Sequence, residues 1–320
     1  MRAAAVLAFA GLAAACAPAG LTTSPIPQRR PAPVAPPPPE AAATATDARS
    51  AESREIAAFY EKRQRGLLAR RYLRQDGGLG EGPVTADALA RNFERIALYS
   101  EFSRGDGVPI AEQTPIRLKR WPGPVRIQVE FGASVTPEAR RLDAARVAAY
   151  ADRLSQIARH PVELVEAGGN YRLFVVSADE QRALGPALAA AEPGLAPSDI
   201  RRIATPDPRR VRCATYVSAL ADEPDAYISA IAVVPSEHPP LSRLACFHEE
   251  LAQGLGLGND SPLVRPSIFN DDEEFALLTE HDAMLLRILY DPRLRIGMSA
   301  AEARPIVRTI AAELTAEGRG

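Results

Sequence analysis

The chain has 320 residues, 24% of them charged, and a formal net charge of −2 at pH 7. A chain so close to neutral has no electrostatic footprint for nucleic acid, and the sequence shows no interleaved aromatic and basic residues. We therefore expect no nucleic-acid partner. The length that remains after a proline-rich N-terminal stretch is enough for one large domain.

The N-terminal residues have the layout of a secretory signal. Arg2 supplies a positive charge, residues 3–12 are apolar, and small residues lead to Cys16. The apolar run is much shorter than the roughly 20 residues that span a bilayer. A cysteine directly after small residues resembles the bacterial lipobox, in which the cysteine is diacylated. We expect a signal peptide over residues 1–15 and an exported protein, anchored by lipidated Cys16 and facing the periplasm. The alternative is an ordinary cleaved signal with an incidental cysteine.

Residues 16–50 form a predicted tether. Eight prolines lie between Pro25 and Pro39. Proline-rich segments favour an extended conformation of about 3.1 Å per residue and cannot bury a core. We therefore expect a disordered spacer and not a folded domain.

Residues 51–115 are predicted to form a helical hairpin. Apolar residues recur at helical spacing over residues 52–74, and glycines at 77–80 end this helix. The second helix is expected to begin at Thr85, with four apolar residues on one side: Leu89, Phe93, Ile96 and Phe102. The first helix carries arginines on its other face. These arginines could contact anionic lipid, or the helix could dock on its own domain with a solvated basic face, which we favour.

Residues 116–317 are predicted to form an α+β domain, in which helices pack on a sheet. Patterns typical of strands occupy residues 125–131, 162–165, 171–176, 214–217 and 228–234. Helical patterns occupy residues 137–160, 179–190, 241–254, 279–290 and 299–317, with a loop over 193–208. Thr279 can cap its helix, with Asp282 at the third helical position.

Two cysteines, Cys213 and Cys246, remain besides Cys16. An even pair in an exported chain indicates a disulfide. Two buried free thiols are the alternative.

The stretch 246–260 carries five residues at the spacings of H-E-x-x-H-x-x-G-x-x-H: Glu249, Glu250, Gln253, Gly256 and Asn259. It resembles the zinc-binding helix of metzincin peptidases, in which side chains four residues apart meet one metal ion. The resemblance implies that Glu250 is the general base. Residues 278–290 resemble the closing helix of matrixin-type domains. A metzincin-like mixed sheet with packed helices is therefore the expected fold over residues 116–317.

The three zinc-binding histidines of that motif are replaced here by Glu249, Gln253 and Asn259. With Asp260, these residues are the candidate metal ligands. Zinc sites rely on imidazole, thiolate and carboxylate donors, so two neutral amides should remove most of the affinity. We expect no cofactor, and zinc or another divalent metal only if the protein is an enzyme.

A wider similarity covers most of the chain after the tether. Residues 92–99, 246–260 and 289–298 are similar to a family of bacterial lipoproteins catalogued as domain of unknown function 2927. The expected function is therefore a membrane-anchored envelope lipoprotein whose domain is a catalytically degenerate metallopeptidase-like scaffold. Such a domain could bind a peptide or an envelope protein along an exposed sheet edge. The alternative is an active envelope hydrolase that uses Glu250 as general base with a non-standard metal shell.

Overall fold

The computed structural model describes residues 49–105, 108–191, 195–207, 209, 211–270 and 272–317. The predicted signal peptide, Cys16 and nearly all of the predicted tether lie outside these residues. None of the described helices is long and apolar enough to cross a membrane.

Two helices open the described chain, as predicted: α1 (Ala51–Ala69) and α2 (Ala86–Ala97). The hydroxyls of Ser50 and Thr85 cap them by accepting backbone N–H bonds from the first turn. The buried side of α1 includes Ile56, Tyr60 and Leu67, so this helix is docked on the domain.

The second helix ends at Ala97 and is therefore shorter than predicted. Phe102, which was expected on its apolar side, lies in a strand. Strands β1 (Tyr99–Gly105) and β2 (Val108–Pro115) pair antiparallel as a separate two-stranded sheet. Asp-Gly at positions 106–107 is a typical sequence for a tight hairpin turn, and this signal outweighs the helical spacing of Phe102.

A five-stranded mixed sheet forms the centre of the domain. Its strands are β3 (Val125–Phe131), β4 (Val162–Leu164), β5 (Tyr171–Val176), β6 (Ala214–Ala219) and β7 (Tyr227–Pro235). They lie in the order β4-β3-β5-β7-β6, and all neighbours are parallel except β6 and β7. The predicted α+β class is confirmed, and β6 forms an edge of this sheet.

The two faces of the sheet enter different apolar clusters because side chains alternate along a strand. On β5, Leu173 and Val175 join the large core, whereas Phe174 and Val176 join a smaller cluster. The small cluster is completed by Leu188 and Ile203 from short helices.

The described helices after β3 are α3 (Pro137–Ala158), α4 (Ala178–Arg182), α5 (Gly185–Ala191), α6 (Pro197–Ala204), α7 (Pro240–Gln253), α8 (Glu280–Leu289) and α9 (Ala300–Glu317). Two predictions were wrong here. The single helix expected over 179–190 is divided near Gly185, where Gly-Pro interrupts the helix. The loop expected over 193–208 contains α6, which begins at Pro197 with Asp199 in its first turn.

The predicted cap of α8 is confirmed. The Thr279 hydroxyl accepts the Asp282 N–H at 3.1 Å, and the Asp282 carboxylate accepts the Thr279 N–H at 3.0 Å. Asp282 is fully buried and also accepts bonds from the Ser267 hydroxyl and the Ile268 N–H. One carboxylate therefore fixes both the start of α8 and the loop before it.

The chain turns sharply after α7 at Gly256. Its φ is +125°, a conformation that side chains rarely allow. A Cβ there would lie 2.4 Å from the Lys119 carbonyl oxygen and 3.1 Å from Leu289. Close packing on both sides therefore requires glycine.

We predict that Gly256→Ala lowers the free energy of unfolding by about 2–4 kcal/mol, because it adds backbone strain and a steric clash. Urea denaturation checks this. Gly258→Ala is the matched control, since a Cβ at Gly258 meets no atom within 4 Å; its change should stay within about 1 kcal/mol. Equal losses in the two variants would contradict the role given to Gly256.

Candidate functional site

Helix α7 positions the site. A buried ion pair joins its Arg243 to Asp143 of α3, with 2.7 Å between Nε and Oδ2. Cys246 on α7 forms a disulfide with Cys213, which directly precedes β6. The predicted disulfide is confirmed, and it attaches the helix to the edge of the sheet.

Glu250 is directed into the interior between α7 and the sheet. Its side chain is only 2% exposed, and its Oε2 has no hydrogen-bond partner among the described residues. The hydroxyls of Tyr171 and Thr215 donate to the Glu250 backbone carbonyl, at 2.6 and 3.1 Å. Burial raises the pKa of the Glu250 carboxyl well above its usual value, and the charge of Glu249 raises it further.

Glu249 lies on the side of α7 that faces Arg212. The guanidinium of Arg212 is 3.7 Å from the Glu249 carboxylate and 2.5 Å from the Glu273 carboxylate. Glu273 also pairs with Arg63 of α1. Burial lowers the pKa of Arg212, but the surrounding carboxylates, Glu249 first, raise it above its usual value. Arg212 is therefore the counter-ion of the Glu249 and Glu273 carboxylates.

Gln253 and Asp260 form a separate pair. The Gln253 amide donates to both Asp260 carboxylate oxygens, at 3.0 and 3.1 Å. Asn259 is directed to α2, where its amide donates to the Arg95 carbonyl at 2.8 Å and its backbone N–H donates to the Ile96 carbonyl. The residues at the three histidine positions therefore make three different contacts.

This arrangement does not fit the zinc ion of a metzincin. The Glu249 carboxylate, at the first ligand position, forms an ion pair with Arg212. The other two ligand positions carry the amides of Gln253 and Asn259, which bond to other groups. Among the described residues, one group of His, Cys, Asp or Glu has three donor atoms within 4.8 Å of one another. That group is Cys213, Glu249 and Glu250.

The histidines near the motif have structural contacts. His248 stacks on Tyr150 at 3.8 Å, and its Nδ1 accepts the Leu278 N–H at 3.0 Å. Burial lowers the pKa of His248 to about 3, so the ring is neutral. His281 contacts the Asn92 amide through Nε2 at 3.1 Å. Neither ring belongs to the group at Glu249 and Glu250.

A cleft of about 680 Å³ runs beside β6. Thr215 and Val217 of β6 line it, together with Tyr99, Lys119 and Gln253. The cleft therefore joins the end of α7 to the edge of the sheet.

The backbone of β6 is open toward this side. Ala230 of β7 donates its N–H to Asn170, on the β5 side, so Ala230 and its β6 partner Val217 are a pair without mutual hydrogen bonds. The N–H and C=O of Val217 therefore point away from β7. Thr215, two residues earlier, has the same orientation. No other described strand pairs with this edge of β6.

Three residues of this site were not predicted from the sequence: Arg212, Thr215 and Glu273. Arg212 and Thr215 flank Cys213 within two residues, so the predicted disulfide could have placed them beside α7. Glu273 carried no such signal, because its position depends on how the loop before α8 folds.

Most of the chain matches a known protein family. Residues 86–309 match the family described as protein of unknown function (DUF2927). The chain belongs to the DUF2927 family. No curated protein and no solved structure gives a significant match. The DUF2927 match begins at the first residue of α2, so α1 precedes the matched region although it is docked on the DUF2927 domain.

The raised pKa of Glu250 predicts how stability depends on pH. The folded state holds the Glu250 proton to a higher pH than the unfolded state, whose carboxyl titrates near 4.5. Stability should therefore fall as pH rises from about 4.5 toward the folded-state pKa, by up to about 1.4 kcal/mol per pH unit. The Glu250→Gln variant has no carboxyl to ionise at this position. It should therefore not show this loss and should become more stable than wild type as pH rises.

Urea denaturation of the disulfide-bonded protein in chelator, between pH 4 and 8, measures this slope. Glu280→Gln is the matched control, because the Glu280 side chain is 79% exposed. If Glu250→Gln and Glu280→Gln have the same slope as wild type, the interior environment assigned to Glu250 is wrong.

Proposed function

We propose that this protein is an exported envelope lipoprotein whose DUF2927 domain binds an extended peptide segment along β6 and does not cleave it. The observation that carries the proposal is the open edge of β6 beside the cleft. An extended peptide can extend a sheet by bonding to an exposed edge, while pockets receive alternate side chains. The outward N–H and C=O of Val217 supply the backbone partners, and Thr215 and Val217 face the cleft.

The local electrostatics support binding without hydrolysis. A metal-dependent peptidase uses a metal ion to polarise the carbonyl and activate water. Here the side chain of Arg212 supplies the positive charge beside Glu249, and Gln253 is paired with Asp260. The order of α7, the Gly256 turn and α8 supports descent from a metzincin-like scaffold in which the ligands have been replaced.

Val217→Pro tests the binding mode. Proline removes the outward N–H of Val217 but no bond between β6 and β7, so the sheet should remain intact. We expect peptide affinity to fall about tenfold, the effect of losing one hydrogen bond of about 1.4 kcal/mol. Octapeptides selected from a phage-displayed random library provide the probe, and fluorescence anisotropy measures their binding to the full chain carrying Cys16→Ser.

Val217→Ala is the matched control, because it shortens the side chain and keeps the N–H; its affinity should stay within about threefold of wild type. Circular dichroism verifies that all variants are folded. Undiminished binding to Val217→Pro, or no enriched peptide, would contradict the proposal. Cleavage of the bound peptides that disappears in Glu250→Gln would favour the hydrolase instead.

Anchoring in the envelope is supported by the sequence that leads to Cys16. A diacylated cysteine would hold the domain at a membrane through the burial of its acyl chains. We predict that wild-type protein sediments with membranes and carries acyl groups on Cys16, whereas Cys16→Ser is released into the periplasm. Fractionation and mass spectrometry of the N-terminal peptide measure both properties. A wild-type N-terminal peptide without acyl groups would show an ordinary cleaved signal.

A further inference from the structure

The disulfide lies beside two carboxylates. The Cys213 sulfur and one carboxylate oxygen each from Glu249 and Glu250 lie within 4.8 Å of one another. Cys246, the other half of the disulfide, precedes these glutamates by three and four residues on α7. Residues three and four apart share a helix face. The Cys213 sulfur and the two carboxylates therefore meet at one place, and the Cys246 sulfur is bonded directly to that of Cys213.

Glu250 provides a second, independent sign of a site. Its carboxyl is 2% exposed, and its Oε2 has no hydrogen-bond partner among the described residues. A buried polar atom without a partner destabilises the fold, so its retention calls for an explanation. A cation bound beside the Glu250 carboxyl would provide the missing partner.

The disulfide prevents such binding in the oxidised protein. Thiolates bind zinc strongly, whereas a disulfide has no thiolate to offer. Arg212 then supplies the positive charge, although its closer partner is Glu273 at 2.5 Å and Glu249 is 3.7 Å away. Glu249 could therefore exchange Arg212 for a metal ion while Arg212 stays bound to Glu273.

We propose that reduction of the Cys213–Cys246 disulfide creates a zinc site from the two thiolates and the carboxylates of Glu249 and Glu250. A protein dithiol is the reductant: its two thiols become a disulfide while Cys213 and Cys246 become thiols. Zinc binding then releases both thiol protons and the proton of the Glu250 carboxyl. The resulting donors, two sulfurs and two oxygens, suit four-coordinate zinc, with bonds of about 2.3 and 2.0–2.2 Å. This site uses neither Gln253 nor Asn259, and its existence does not depend on the proposed peptide binding at β6.

The test compares oxidised and reduced protein. The full chain carries Cys16→Ser, which removes the third and last cysteine. Tris(2-carboxyethyl)phosphine reduces the disulfide, and zinc is titrated in competition with a chromophoric chelator. We expect one zinc per chain, bound at least 100-fold more tightly by the reduced protein than by the oxidised one. Cobalt(II) should give the thiolate charge-transfer and tetrahedral d–d absorption of a mixed sulfur and oxygen site.

Two variants identify the oxygen ligands. Glu250→Gln should weaken zinc binding to the reduced protein at least tenfold and alter the cobalt spectrum. Glu280→Gln, an exposed carboxylate on α8, should change neither. Circular dichroism of each reduced protein, with and without zinc, verifies that binding occurs in the folded state.

Three results would overturn the proposal. The first is equal zinc affinity of the oxidised and reduced proteins. The second is unchanged affinity in a Glu249→Gln, Glu250→Gln double variant, which would leave the thiols as the only ligands. The third is a reduced protein that unfolds and that zinc does not refold.

Discussion

The attachment of α7 to the edge of the sheet is the constraint on which the rest of the site depends. The Cys213–Cys246 disulfide ties the helix to the start of β6, and the hydroxyls of Tyr171 and Thr215 bond to its last turn. Closing the 33-residue separation between the two cysteines stabilises the fold by roughly 3–4 kcal/mol in the chain-entropy model. Because the helix cannot rotate or slide, Glu250 stays in the interior and Gln253 stays at the cleft.

Charge compensation gives the site its chemical character. A buried carboxylate needs a cation, a hydrogen-bond network or a proton. Glu249 forms an ion pair with Arg212. Glu250 is buried and lies near the negative charge of Glu249, and both effects favour its protonated form. The ion pairs from Arg63 through Glu273 to Arg212 extend this network to α1. A helix outside the family match therefore helps to hold the counter-ion in place.

The proposed peptide site and the proposed zinc site use different groups near α7 and β6. Peptide binding depends on the backbone of β6 and requires no titratable group, so it is available while the disulfide is intact. Zinc binding depends on the sulfurs of Cys213 and Cys246 and needs the disulfide to be broken. Reduction would also remove the covalent link that fixes β6 against α7, so metal binding could replace that link with coordinate bonds.

Much of the architecture was readable in the sequence. The apolar and polar alternation of residues 125–131 and the apolar run of residues 171–176 placed β3 and β5 at their observed bounds, and the Thr279 and Asp282 spacing predicted the cap of α8. These signals are local, since strand alternation and capping depend on residues a few positions apart. The competing local signals at Phe102 and at residues 193–208 show the limit of such patterns: a turn dipeptide and a proline at a helix start outweighed what spacing or loop composition indicated.

The sequence by itself determined the strands of the five-stranded sheet and most of the described helices, and it indicated that Cys213 pairs with Cys246. Only the tertiary structure decided what the motif residues contact. Glu249, Gln253 and Asn259 lie at the spacings of zinc ligands, yet they reach Arg212, Asp260 and the backbone of α2. Arg212 and α2 are distant in the chain from these residues. Asp260 follows a turn whose direction is set by packing. Side-chain chemistry is local, but the charge, burial and open edges around a side chain are properties of the assembled fold.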